Sequence, residues 1–93
     1  MTAVAIVIMM VMAFFQNVSF TIVSRSRNRN HMMYHLVAAV FSNGVWFMTM
    51  KYLVITQNMS WVLFIPYTIG TVSGSLFGQA ISIRIEKWLG ATA

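Results

Sequence analysis

The sequence predicts an all-α integral membrane protein, a three-helix bundle with its N-terminus outside and its C-terminus in the cytoplasm, which self-associates. The 93 residues are 59% hydrophobic and only 8% charged, whereas soluble domains carry about 25% charged residues. Three apolar stretches of membrane-spanning length follow one another, and the basic residues cluster between and after them. We therefore expect one membrane domain over residues 1–93, with spans at about 2–24, 32–55 and 61–83.

The first span is apolar as far as Phe15 and of mixed polarity beyond it. No basic residue precedes the apolar run and no small-residue cleavage site follows it, which favours a retained span over a secretory signal peptide. Gln16 and Asn17 lie deep enough for an unpaired amide to cost free energy. Two interpretations stay open for this pair, namely hydrogen bonding between helices and the lining of an aqueous path.

The segment 24–30, SRSRNRN, is the strongly hydrophilic part of the chain and contains Arg25, Arg27 and Arg29. Because short cytoplasmic loops are enriched in lysine and arginine, we expect this loop on the cytoplasmic side. Three guanidinium groups beside a bilayer also favour contact with anionic lipid headgroups. The run is too short to indicate a nucleic-acid-binding domain, so we expect no nucleic acid as a partner.

The second span begins with two histidines and carries an amide at its centre. His31 and His35 share one helical face, but no third histidine or cysteine accompanies them, so we expect no metal site. Asn43 and Gly44 fall near the bilayer midplane, where a polar group needs a partner. Asn43 either bonds to a neighbouring helix or lines a pore or cavity, while Gly44 permits the close approach of another helix.

The third span carries glycines at positions 70, 74 and 78. With 3.6 residues per turn, these glycines form a strip along one face of the helix. The uncharged run 61–83 is roughly 34 Å long at ~1.5 Å per residue, enough to cross a hydrocarbon core of about 30 Å. The strip predicts close contact with a second helix, which is either another span of the same chain or a second copy. An ion path lined by the backbone is the third interpretation.

The charges at the ends of the spans predict the orientation. Five basic residues, expected to fix topology and to contact lipid headgroups, fall on one side of the membrane: Arg25, Arg27, Arg29, Arg84 and Lys87. Lys51 lies toward the other side, where its ammonium group either snorkels to the outer surface or faces the interior as a functional cation. This asymmetry is the basis for the orientation given above.

The remaining residue types offer few groups that could act in catalysis. Glu86 is the only carboxylate, and we expect it to form a local ion pair with Arg84 and Lys87. The chain has no cysteine, so it offers no thiolate chemistry. We therefore expect neither enzymatic activity nor a cofactor.

Parts of the sequence resemble known membrane proteins. The combination of SRSRNRN with YHLVAAVFSNGVWF is similar to small membrane proteins of tailed phages, some of which are labelled holins. The third span also resembles the last membrane helix of an uncharacterised bacterial family, whose three-helix membrane part precedes a small cytoplasmic domain. The residues that carry this second resemblance are Pro66-Tyr67, Gly70-Thr71, Gly74, Gly78, Ile85-Glu86 and Leu89-Gly90. The two resemblances together imply a stand-alone three-helix unit.

The predicted topology is similar to that of three-span phage holins, which accumulate in the inner membrane and then self-associate into lesions that cause host cell lysis. The resemblance implies a holin-like protein that oligomerises and permeabilises the bacterial host's inner membrane. Helix packing and oligomerisation would then be carried by Gly70, Gly74, Gly78 and Gly44. The residues expected to line a pore or wetted face are Gln16, Asn17, Asn43, Ser73, Gln79 and Lys51.

Two other classes of function remain open. In a stable oligomeric channel or small transporter, the glycines would close a permanent oligomer, and Asn43 with Lys51 would select what passes. In a non-conducting interaction protein, the same helices would hold a partner at the membrane. A holin predicts growing assemblies and abrupt killing of the cell. A channel predicts a fixed oligomer with steady conductance, and an interaction protein predicts a partner that co-purifies with it.

Overall fold

The computed structural model describes residues 3–29, 31–59 and 61–90, and it is helical almost throughout. Three long helices follow one another: α1 (Ala3–Ser26), α2 (Met32–Lys51) and α3 (Phe64–Leu89). A π-helical turn, Tyr52–Thr56, extends α2, and a 3-10 turn, Trp61–Leu63, leads into α3. No strand occurs among the described residues. The predicted all-α three-helix bundle is therefore confirmed.

Each helix is long and apolar enough to cross a membrane. The three candidate spans are Ala3–Ser26, Met32–Thr56 and Trp61–Leu89. The first and third helices continue past the predicted ends at 24 and 83, because their charged ends stay helical instead of unwinding at the surface. Thr2, in the predicted first span, lies outside the described residues. The molecule measures 45 Å along its longest axis and 20 by 16 Å across it, as expected for helices lying side by side.

Helix α1 is the central element of the bundle. It packs extensively against α3 and less extensively against α2, whereas α2 and α3 share few contacts with each other. Helix α2 is the least covered of the three spans. An ion pair between Arg25 and Glu86 brings the ends of α1 and α3 together, and the short connection between α1 and α2 lies at that same end. Lys51 is therefore at the opposite end of the bundle.

The bundle buries polar side chains and exposes apolar ones. The buried polar or charged residues are Gln16, Ser19, Ser26, Ser42, Thr49, Ser82 and Glu86. The exterior presents large apolar side chains along all three helices, such as Phe15, Phe47 and Leu76, which are 56%, 66% and 68% exposed. In water this distribution would be unfavourable, but hydrocarbon solvates apolar side chains and penalises unpaired polar groups. The packing therefore supports a membrane environment independently of helix length.

The ends of the helices carry recognisable capping contacts. Helix α2 begins after His31, whose Nδ1 accepts a hydrogen bond from the backbone N–H of Tyr34 at 3.1 Å. Helix α3 ends at Leu89, and the following Gly90 adopts a left-handed φ of 69° that glycine allows without strain. Asn58 and Met59 have φ values of 54° and 49° in the turn before α3. His31 thus lies in the connection between α1 and α2, and the two residues with positive φ lie in the connection between α2 and α3.

Candidate functional site

The glycine strip of α3 lies directly against α1 of the same chain. A Cβ atom on Gly70 would come within 2.5 Å of the Met10 carbonyl oxygen, and one on Gly78 within 2.9 Å of the Thr21 Cβ. On Gly74 it would overlap the carbonyl oxygen of Phe14. The strip thus permits backbone contact within the bundle, as in the first interpretation of the sequence. Because α1 covers this face, the strip is not open to a second copy in this arrangement.

Gly44 differs from the three glycines of the strip. No atom lies within 4 Å of a Cβ built at this position, and the residue is exposed. It lies on the wall of a groove of about 440 Å³ between α1 and α2, together with Val11 and Phe15 of α1. Of the four glycines expected to serve packing or oligomerisation, Gly44 alone leaves room for a helix from outside the chain.

The two amides of α1 are engaged within the bundle. The side-chain amide of Asn17 donates a hydrogen bond of 2.8 Å to Ser75 Oγ on α3. The hydroxyl of Tyr67 on α3 donates a long hydrogen bond of 3.5 Å to Oε1 of the buried Gln16. Both contacts cross from α1 to α3, so the first of the two interpretations, hydrogen bonding between helices, describes these residues here.

Helices α1 and α2 are joined by buried hydroxyl groups. Thr49 is fully buried, and its Oγ1 lies 2.9 Å from the Val45 carbonyl oxygen and 3.5 Å from that of Met12 on α1. At the other end, Ser26 Oγ lies 2.7 Å from the Val23 carbonyl oxygen and 2.6 Å from His35 Nδ1. Since a hydroxyl has one hydrogen, Ser26 donates to Val23 and accepts from the Nδ1–H of His35. The histidine ring is therefore held in one orientation.

The prediction for Glu86 was wrong as to its partners. Its carboxylate accepts two hydrogen bonds of 2.9 Å from the guanidinium group of Arg25 and lies 3.0 Å from that of Arg29. Arg84 and Lys87 are exposed instead. Residues one or two positions apart on a helix point to different sides, so a buried Glu86 cannot share a face with either neighbour. The carboxylate side chain is only 7% exposed, which makes this cluster the ionic tie between α1 and α3.

The two histidines have separate roles in the structure. His31 caps α2 through the Tyr34 amide, and His35 bonds to Ser26. Among the residues that the structure describes, no three His, Asp or Glu side chains lie close enough to hold a metal ion.

A polar cleft of about 280 Å³ opens between α1 and α2 on the arginine-rich half of the bundle. Arg27, His35, Asn43 and Trp46 line it, together with the apolar or small residues Phe20, Val23, Ala39 and Ser42. Asn43 is exposed, and its side chain makes no hydrogen bond within the described part of the chain. The amide near the bilayer midplane is thus one of the polar groups that the bundle itself leaves without a partner.

The six residues predicted to line a pore or wetted face do not converge in one copy of the chain. Gln16 and Asn17 face α3, and the half-buried Ser73 lies in a groove between α1 and α3. Gln79 is exposed on α3, and Lys51 is exposed at the far end of α2. A continuous polar surface would therefore need more than one copy.

No family model, curated protein or solved structure matches this chain. The resemblance to phage membrane proteins accordingly stays a prediction.

Proposed function

We propose that this protein is a holin-like membrane protein, which assembles in a bacterial inner membrane and permeabilises it. The observation that carries the proposal is the exposure of Gln79 and Asn43 on helices that are otherwise suited to lipid. An amide in hydrocarbon without a hydrogen-bond partner is unfavourable, and contact with further copies or with water removes that penalty. Association therefore lowers the free energy of a copy that is dispersed in the membrane.

Assembly in this proposal uses α2 and not the glycine strip. Helix α1 occupies the strip, whereas the groove beside Gly44 is open and apolar. Association of membrane helices depends on close packing, and an uncovered glycine lets a neighbouring backbone approach. As copies accumulate, Asn43, Gln79 and Lys51 are the residues available to face water, because Gln16 and Asn17 are engaged inside each bundle.

The experiment is controlled expression in bacteria, with culture density and membrane potential followed over time. We expect normal growth, then abrupt depolarisation once the protein has accumulated. Gly44→Leu adds bulk where nothing lies within 4 Å, so it should leave the fold intact and delay or abolish depolarisation. Ala80→Leu, which adds bulk at an exposed position of α3, is the matched control and should behave like the unchanged protein.

Each other outcome has a defined meaning. Continued growth with an intact potential would contradict the holin-like function. Steady conductance from a fixed oligomer would favour the channel, and a co-purifying protein without conductance would favour the interaction protein. Depolarisation by Gly44→Leu on the normal schedule would contradict assembly through Gly44 but not permeabilisation itself.

A further inference from the structure

The polar cleft between α1 and α2 gathers three hydrogen-bond donors that have no partner. The side chains of Arg27, Asn43 and Trp46 line the cleft, and none of them makes a hydrogen bond or an ion pair within the described ranges 3–29, 31–59 and 61–90. Arg25 and Arg29, by contrast, both pair with Glu86. Arg27 is therefore the arginine of this segment whose charge the bundle leaves uncompensated.

The chemistry of the cleft selects an anionic ligand rich in oxygen. A guanidinium group and an indole N–H can only donate hydrogen bonds, and an amide can donate two. Arginine binds phosphate through charge-assisted bonds, which are the strongest of these contacts. The remaining wall is apolar, formed by side chains such as Phe20, Val23 and Ala39. One ligand that fits has a phosphate at one end and a hydrocarbon portion at the other.

The position of the cleft identifies the source of that ligand. Phe20 and Trp46 on its rim are 53% and 51% exposed on the outer surface of the bundle, where lipid surrounds a membrane helix. The cleft extends from the arginine segment toward Asn43 at mid-span, the direction in which a phospholipid runs from its headgroup to its chains.

We propose that this cleft is a binding site for an anionic phospholipid. Its phosphate binds Arg27, and its hydrocarbon chains run along the apolar wall past Trp46 toward Asn43 at mid-span. His35, held by Ser26, forms part of the wall beside the phosphate. The site lies within one copy of the chain, so it does not depend on the permeabilising function proposed above.

Tryptophan fluorescence in vesicles tests this site. Trp61→Phe and Trp88→Phe leave Trp46 as the only tryptophan, and both replaced side chains are exposed, at 85% and 84%. The protein is placed in phosphatidylcholine vesicles containing a small fraction of phosphatidylglycerol brominated on its chains, or an equal fraction of brominated phosphatidylcholine. We expect brominated phosphatidylglycerol to quench Trp46 several-fold more strongly.

Two arginine variants give the matched comparison. Arg27→Gln should weaken the preference for phosphatidylglycerol roughly tenfold, since it removes a charge-assisted contact with the phosphate. Arg84→Gln removes the same charge from an exposed position at the same end of the bundle and should retain the preference. Asn43→Leu should retain the preference, because the ester groups of a lipid whose phosphate lies at Arg27 do not extend to mid-span.

Three results would overturn the proposal. Equal quenching by the two brominated lipids would show that the cleft does not select an anionic lipid. If Arg27→Gln and Arg84→Gln weakened the preference for phosphatidylglycerol equally, the preference would come from general surface charge and not from the cleft. Loss of the preference on adding inorganic phosphate, compared with chloride at equal ionic strength, would assign the cleft to a soluble anion instead of a lipid.

Discussion

Gly74→Leu is expected to separate α3 from α1 and to lower the free energy of unfolding by on the order of 3 kcal/mol, the upper part of the range for overpacked cores. The added side chain meets the Phe14 backbone and the Asn17 Cβ, which lies 3.0 Å from the position of a new Cβ. A backbone carbonyl cannot rotate away as a flexible side chain can, so α1 itself has to move. That movement also breaks the hydrogen bond from Asn17 to Ser75.

Unfolding in mixed micelles, followed by circular dichroism as the fraction of denaturing detergent rises, measures this loss. Gly44→Leu is the matched control, because the same substitution there meets nothing within 4 Å and should leave the midpoint unchanged. Cysteines at positions 17 and 75 add a second readout in a chain that has no other cysteine. Efficient cross-linking of that pair in the Gly74→Leu protein would show that the α1–α3 contact survives and would contradict the packing described above.

Glu86→Gln is expected to cost about 3 kcal/mol of stability, near the lower end of the range for breaking a buried ion pair. The substitution keeps the size of the side chain but leaves Arg25 and Arg29 beside each other without a counter-charge. Their side chains are 27% and 17% exposed, so water relieves part of the penalty. The end of α3 should loosen from α1 while the glycine contacts deeper in the membrane persist.

The same detergent titration, combined with amide hydrogen exchange at the end of α3, distinguishes this local loosening from global unfolding. Lys87→Gln is the control, since Lys87 is exposed one residue along the helix. A double variant, Arg25→Gln with Glu86→Gln, should lose less than the sum of the two single variants. Identical midpoints for Glu86→Gln and Lys87→Gln would contradict the role of this cluster as a tie between helices.

The number of helices, their approximate positions and the glycine face of α3 could be predicted from the sequence, whereas the ends of α1 and α3 lie beyond the predicted ones. Hydrophobic runs report membrane spans directly, because one lipid-facing helix satisfies its own backbone hydrogen bonds. Periodicity also places Gly70, Gly74 and Gly78 on one face, but it does not say which helix covers that face. That depends on how three helices are arranged in space, and here α1 covers it.

The partners of the polar residues could not be predicted from the sequence for the same reason. Asn17 and Ser75 are 58 positions apart, and Arg25 and Glu86 are 61 positions apart. Sequence neighbours suggested Arg84 and Lys87 for Glu86, but the carboxylate points into the bundle, away from both. The sequence identified Asn43 as a polar residue at mid-span but could not predict the cleft, because the opposite wall of the cleft comes from α1 and from Arg27.

The central position of α1 has a consequence for biosynthesis. Helices leave the ribosome in chain order, so α1 and α2 are available to pair before α3 exists. At that stage Asn17 and Arg25 have no α3 partners, since Ser75 and Glu86 lie in the part of the chain still to be made. The pair of α1 and α2 is therefore an incomplete intermediate with polar groups facing lipid or an insertion factor. Arrival of the last helix satisfies those groups, which makes α3 the element that commits the chain to its final fold.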